Sequence, residues 1–164
     1  MRAPLNSLLL IVLVFFVESA HAQSAQEAIR AFLRLDARLE VGISYRDYVA
    51  ELGELNFELK SFADSNDAAR LPEIYDALNL ALIYHLRAQR LWEGTFGRRG
   101  TKTLRLKSDY GKLLLSLYPD AALSVEDGGA TIDGEIHMMK LLPFVWGQAS
   151  QKIAEAKKIL SSLE

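Results

Sequence analysis

Between Ala25 and Glu40, apolar side chains recur at Ala28, Ile29, Phe32, Leu35 and Leu39, with Glu27, Arg30, Arg34 and Arg38 between them. Spacings of three and four residues put such a series on one face of a helix. A second series, Tyr45, Tyr48, Val49, Leu52, Leu55, Leu59 and Phe62, keeps the period but changes the phase. One straight helix would therefore aim its two halves at different surroundings. Gly42 suits a helix end, Ser44 an N-cap, and Asp47 places a carboxylate near a new N-terminus. The pattern predicts a kink or tight break near Gly42. Either one kinked helix or two helices over residues 25–64 would satisfy it, with Tyr45 and Tyr48 on the buried stripe and Arg46 and Asp47 facing outward.

Asn66, Asp67 and Pro72 announce another helix, predicted from about Leu71 to Trp92 and ended before Gly94. Its stripe is Ile74, Tyr75, Leu78, Ala81, Leu82, His85 and Trp92, while Leu80, Ile83 and Leu86 add a second apolar side. A helix apolar nearly all round is central or lies at an oligomer interface. Ser108 to Tyr118 reads as a short helix stopped by Pro119, and residues 119–134, with Gly128, Gly129 and Gly134, read as a loop. The last helix is predicted from Pro143 to about Ser161. Leu142, Trp146, Ala149, Ile153, Ala156, Leu160 and Leu163 alternate steps of four and three, the narrow seam of an antiparallel bundle. The fold class expected is all-α: an antiparallel bundle of four main helices plus one short helix.

The N-terminus changes the picture of where this bundle resides. Arg2 precedes the apolar run Leu8 to Val17, and Glu18-Ser19-Ala20-His21-Ala22 follows, the order of a secretory signal peptide. A spanning helix needs about 20 apolar residues, so the run is short for a permanent anchor. Cleavage after Ala22 is expected, leaving residues 23–164 as a single helical-bundle domain with no later membrane span. The Ala-His-Ala ending is of a bacterial kind, which makes the expected address periplasmic or secreted. With no cysteine, the chain has no disulfide, thiol-enzyme, Cys-ligated zinc or c-type haem chemistry.

Charge is polarised although the net is −2. From Arg87 to Lys112 the cations are Arg87, Arg90, Arg98, Arg99, Lys102, Arg105, Lys107 and Lys112, against Glu93 and Asp109. From Leu113 to Met139 the only charges are Asp120, Glu126, Asp127, Asp133 and Glu135. Within the basic stretch, GTFGRRG could hold an anion through backbone amides and the Arg98 and Arg99 guanidiniums. It follows a helix and lacks a Walker Lys-Ser/Thr, so its plainer role is a solvated connector. The aromatics Tyr45, Tyr48, Trp92 and Trp146 could line a groove between helices. Ile136 to Trp146, with Met138 and Met139, is denser in apolar residues than one stripe requires, as adaptable partner surfaces are.

Catalytic and metal motifs are weaker. Past residue 22 the histidines are His85 and His137, and neither follows a Glu by three, which excludes a di-iron carboxylate bundle. Haem between His85 and Met138 or Met139 is conceivable, but a hydrogen-bonded core histidine beside Tyr84 explains His85 more simply. Asp47, Glu51, Glu54 and Glu58 share a helix face and read as a solvated acidic row. Asp127 to Met138 matches a calcium loop poorly, and Gly42-Ile43-Ser44-Tyr45-Arg46 lacks the strand that builds a nucleophile elbow. No metal and no cofactor is expected.

The reading that results is a non-enzymatic exported bundle binding a partner protein or an anionic envelope ligand. Its candidate contacts are Tyr45, Tyr48, Arg87, Arg90, Trp92, Arg98, Arg99, Arg105 and Trp146. Nucleic acid is not an expected partner, since the chain is acidic and its basic segment from Gly94 to Lys112 offers only Phe96 and Tyr110 for stacking. A small envelope-acting hydrolase or transferase, and a structural homo-oligomer, are the alternatives.

Overall fold

The computed structural model describes residues 23–96, 102–123 and 127–163. The proposed signal segment and the Arg98-Arg99 pair lie outside the described residues. Six α-helices, α1 (Gln23–Val41), α2 (Tyr45–Asp64), α3 (Asn66–Arg70), α4 (Pro72–Glu93), α5 (Asp109–Leu117) and α6 (Met138–Ser161), make up most of the described chain. The four long ones form an antiparallel bundle. At one end Arg38, late in α1, pairs with Glu51, early in α2. At that same end Tyr45 of α2 meets Trp92 of α4, and Thr95 just beyond α4 reaches Met139 at the start of α6. At the opposite end the Ser24 hydroxyl donates to Asp67 across 2.5 Å. Successive long helices therefore run up, down, up and down.

The break between α1 and α2 is built as the side chains there dictate. Gly42 has φ +93°, a left-handed conformation that costs a side-chain-bearing residue about 1 kcal/mol. Its N–H returns to the Leu39 carbonyl at 3.3 Å. Ser44 then caps α2, accepting from the Asp47 N–H at 3.1 Å and donating to the Asp47 carboxylate at 2.7 Å. Residues 25–64 are thus two antiparallel helices and not one bent helix. Ser65 works twice: it donates to the Phe62 carbonyl at the end of α2 and accepts from the Asp67 N–H in α3.

Phe32, Leu35, Tyr48, Leu55, Phe62, Ile74, Leu78, Leu142 and Ile153 are fully enclosed in the core. Burying a side chain of this size stabilises by about 1.5–3 kcal/mol before its ordering entropy is subtracted. Two expectations about α4 and α2 need correction. Leu80 and Leu86 of α4, and Val49 of α2, are exposed, because α4 is covered by α2 and α6 on one side only. The acidic row is also not uniformly solvated, since Glu51 is 13% exposed and pairs with Arg34 at 3.5 Å and with Arg38.

Residues 119–134 are more than a loop. Pro119–Ala122 is a 3-10 turn, and three short strands, β1 (Thr103–Arg105), β2 (Thr131–Ile132) and β3 (Glu135–His137), form an antiparallel sheet in the order β1-β3-β2. Asp133 (φ 49°) and Gly134 (φ 77°) make the two-residue turn between β2 and β3. Both φ values are positive, as a primed hairpin turn requires. Gly129 packs where a Cβ would come within 2.0 Å of the Leu123 carbonyl oxygen.

This sheet also moves the start of the last helix. α6 begins at Met138, five residues before the predicted Pro143. The His137 N–H donates to Ala130 at 2.8 Å and the Met138 N–H to Lys102 at 3.0 Å, so donors at the helix start are satisfied by the neighbouring segments. Pro143 removes only the bond to the Met139 carbonyl, on the exposed side of α6. Beyond α6, Leu163 is exposed rather than part of the seam.

Candidate functional site

The four aromatics singled out by sequence come together. Tyr48, on the stripe of α2, faces Trp92 of α4 at 5.5 Å and Trp146 of α6 at 6.0 Å between ring centroids. The two tryptophans lie 5.8 Å apart. Tyr45, one turn before Tyr48, meets Trp92 at 5.6 Å and Phe96 at 4.8 Å. Most of these pairs are edge-on, the arrangement that opposes ring edges to ring faces. Rings at these separations are in contact with one another, so the four pack together as a wedge at this end of the bundle.

The wedge has a polar root. The Tyr48 hydroxyl lies 3.0 Å from the His85 backbone carbonyl, 3.1 Å from His85 Nδ1, and accepts from the Trp146 indole N–H at 3.1 Å. With one proton, Tyr48 donates to the carbonyl or to Nδ1. In the first case Nδ1–H donates back to Tyr48 and Nε2 is a bare acceptor; in the second, Nε2 carries the proton. Either way Nε2 is buried without a hydrogen-bond partner among the described residues. His85 is 0% exposed, and burial lowers its pKa to about 4, which keeps the imidazole neutral. Burial pushes the Tyr48 hydroxyl well above its ordinary range, against the Trp146 hydrogen bond and with a contribution from Asp36. Asp36 itself is raised above the usual carboxylate range, chiefly by burial, with the Ser150 hydroxyl lowering it and Glu40 raising it.

From this root the cluster opens outward. Tyr45, Trp92 and Trp146 are half-buried, and Phe96 is 50% exposed. Phe96 touches Tyr45 of α2, and its neighbour Thr95 places its hydroxyl 3.8 Å from the sulfur of half-exposed Met139 at the start of α6. Exposed cations at this end are Arg46, Arg90, Lys102 and Lys140. Sequence spacing could not bring Tyr45, Phe96 and Met139 to one end, because each belongs to the end of a different element.

Among the described residues, Arg87, Arg90 and Arg105 have different surroundings. Arg90 is exposed in the last turn of α4, within one helical turn of Trp92. Arg87 instead lies over the Tyr84 ring, 5.4 Å from its centroid, and interacts with the Tyr118 hydroxyl. Arg105 lies in β1, directly across from Glu135 of β3. Arg87 thus links α4 to Tyr118, just past α5, while Arg105 is exposed within the sheet.

Among the described residues, no group of three or more His, Asp or Glu side chains is arranged to hold a metal ion. His85 is enclosed by the Phe32 and Tyr48 rings, with centroids at 6.4 and 6.1 Å. What the site can do chemically is present aromatic and apolar surface, stiffened by a hydrogen-bonded root, beside exposed charges of both signs, Arg46, Arg90, Lys102 and Lys140 with Glu40, Asp47 and Glu93. Comparison with protein-family models, with curated proteins and with solved structures found no match to this chain.

Proposed function

We propose that this chain is an exported, non-enzymatic binding protein that recognises an anionic partner through the end of the bundle bearing Tyr45, Phe96 and Met139. The observation that carries the reading is the continuous ring contact from buried Tyr48 through Trp92 and Tyr45 to half-exposed Phe96. A rigid aromatic surface loses little conformational entropy on binding, which is why such anchors concentrate binding energy. Phe96 is followed within three residues by Arg98 and Arg99, and Arg90 precedes it. That charge selects anionic partners and raises the rate of encounter. The enzymatic alternative draws no support from His85, which has no exposed surface to offer a substrate.

Export rests on the N-terminal pattern, and the register of α1 is compatible with it. Ala25 and Ala28, just past the proposed cleavage point, are fully buried, so a chain starting at Gln23 keeps the first turns that pack into the core. The full chain expressed with an intact export pathway is expected to yield a protein whose mass starts at Gln23. A retained Met1 would end the export reading. For binding, the processed chain is expected to capture its partner from an envelope extract at low ionic strength and release it as salt rises. Replacing Arg98 and Arg99 by serine, or Phe96 by serine, should each weaken capture; unchanged capture in both variants removes the site.

A further inference from the structure

We infer that the outer face of α4 is a homodimer interface, in which two copies of this chain pair their α4 helices antiparallel about a two-fold axis at Ile83. This concerns the flank of the bundle and stands independently of the binding reading above. Ile74, Leu78, Ala81, His85 and Ala88 turn one side of α4 into the core. The opposite side carries Leu80, 41% exposed, half-buried Ile83, and Leu86, 39% exposed. At about 100° per residue, Asp76 and Arg90 fall within about 20° of Ile83 on that same side. Both are exposed, and among the described residues neither makes a salt bridge.

The order of these side chains says what covers them. Leu80 and Leu86 lie three residues before and after Ile83, and Asp76 and Arg90 seven before and after. A two-fold contact is self-complementary, so residue i of one copy meets residue j of the other and j meets i. Antiparallel pairing centred on Ile83 therefore sets Ile83 against its equivalent, Leu80 at the level of Leu86 in the second copy, and Asp76 at the level of Arg90. One axis thus matches apolar with apolar and anion with cation. Parallel pairing would oppose Asp76 to Asp76 and Arg90 to Arg90, and like charges facing each other cost affinity. Glu73 and Glu93, which the same axis brings level, lie about 80° from Ile83 on opposite edges of the face, outside the seam. A second exposed apolar stripe, Tyr110, Leu113 and Leu117 on α5, has no free charge pair of this kind, because Asp109 and Lys112 beside it pair with each other at 3.8 Å.

The test is sedimentation equilibrium of the processed chain over a concentration series, where reversible dimers are expected below about 1 mM. Asp76→Arg and Arg90→Asp should each weaken dimerisation at least tenfold. The two together should restore it, because the reversed pair meets across the same axis. Leu80→Ser with Leu86→Ser should abolish it, whereas Leu113→Ser with Leu117→Ser should leave it unchanged. The chain has no cysteine, so Ile83→Cys introduces a single thiol, and oxidation should link two copies through it. The charged and leucine positions are exposed, and matching thermal melts would confirm that each variant folds. A single-chain mass at every concentration, no rescue in the Asp76→Arg with Arg90→Asp variant, or no disulfide through Ile83→Cys overturns the inference. So does a monomer that captures an envelope protein through Leu80 and Leu86, since the occupant is then a different chain.

Discussion

The Tyr48 hydroxyl sits between the Trp146 indole N–H, 3.1 Å away, and the backbone carbonyl of His85, 3.0 Å away, so one side chain of α2 ties α6 to α4 inside an otherwise apolar core. Tyr48→Phe leaves the indole N–H and the imidazole Nδ1 buried without that partner. Unsatisfied buried groups cost about 1–3 kcal/mol each. The variant is expected to lose at least that much in urea unfolding, and to soften the Trp92–Trp146 packing, seen as altered near-ultraviolet dichroism. A change below about 0.5 kcal/mol would show that the hydroxyl contributes no net stability.

Acid should loosen the bundle through His85. Its pKa is lowered from 6.5 to about 4 by burial, so between those values the unfolded chain binds more protons than the folded one. Stability from this group is whole above about pH 6.5 and falls as pH drops toward 4, by about 3 kcal/mol in all. Asp36 acts in the opposite sense, since burial disfavours its ionised form and acid relieves that cost. Urea midpoints measured between about pH 7 and pH 5 should decline in the native chain and be flatter in His85→Gln. Equal slopes in both proteins would count against the buried neutral imidazole.

Glu51 joins α1 to α2 through Arg34 and Arg38, with its own side chain mostly buried and the two arginines about half exposed. Because the arginines remain solvated, Glu51→Gln should cost only about 1 kcal/mol, and less at high salt. Thermal melts in low and high salt measure this. A loss that did not shrink with salt would mean that packing, not charge, holds the pair.

Three glycines separate helix propensity from close packing. Added Cβ atoms at Gly53 of α2 and Gly147 of α6 would meet nothing within 4 Å, so alanine at either position should raise stability by roughly 0.5–1 kcal/mol. At Gly129 the same methyl would collide with the Leu123 backbone. Gly129→Ala is expected to destabilise by about 1–3 kcal/mol. Limited proteolysis should then cut first within residues 119–137, leaving the long helices intact.

The apolar period of the chain by itself determined the four long helices, and local chemistry at Gly42, Ser44 and Asp47 determined the break between the first two, since neighbours within one turn decide both. The Asp133-Gly134 dipeptide signals a hairpin in the sequence, yet strands of two and three residues are too short to show alternation, so the sheet was legible only once paired. Where α6 starts depended on acceptors at Lys102 and Ala130, residues distant along the chain or across a turn. Tyr45, Tyr48, Trp92 and Trp146 could be singled out as aromatics at helical spacing, but only their packing decided that they form one wedge. The neighbours of Arg87 and Arg105, which are Tyr84, Tyr118 and Glu135, were likewise decided by tertiary packing. Periodicity encodes which face of an element is buried; it carries no information on which ends of different elements meet, and the contacts of Tyr45 with Phe96 and of Thr95 with Met139 join such ends.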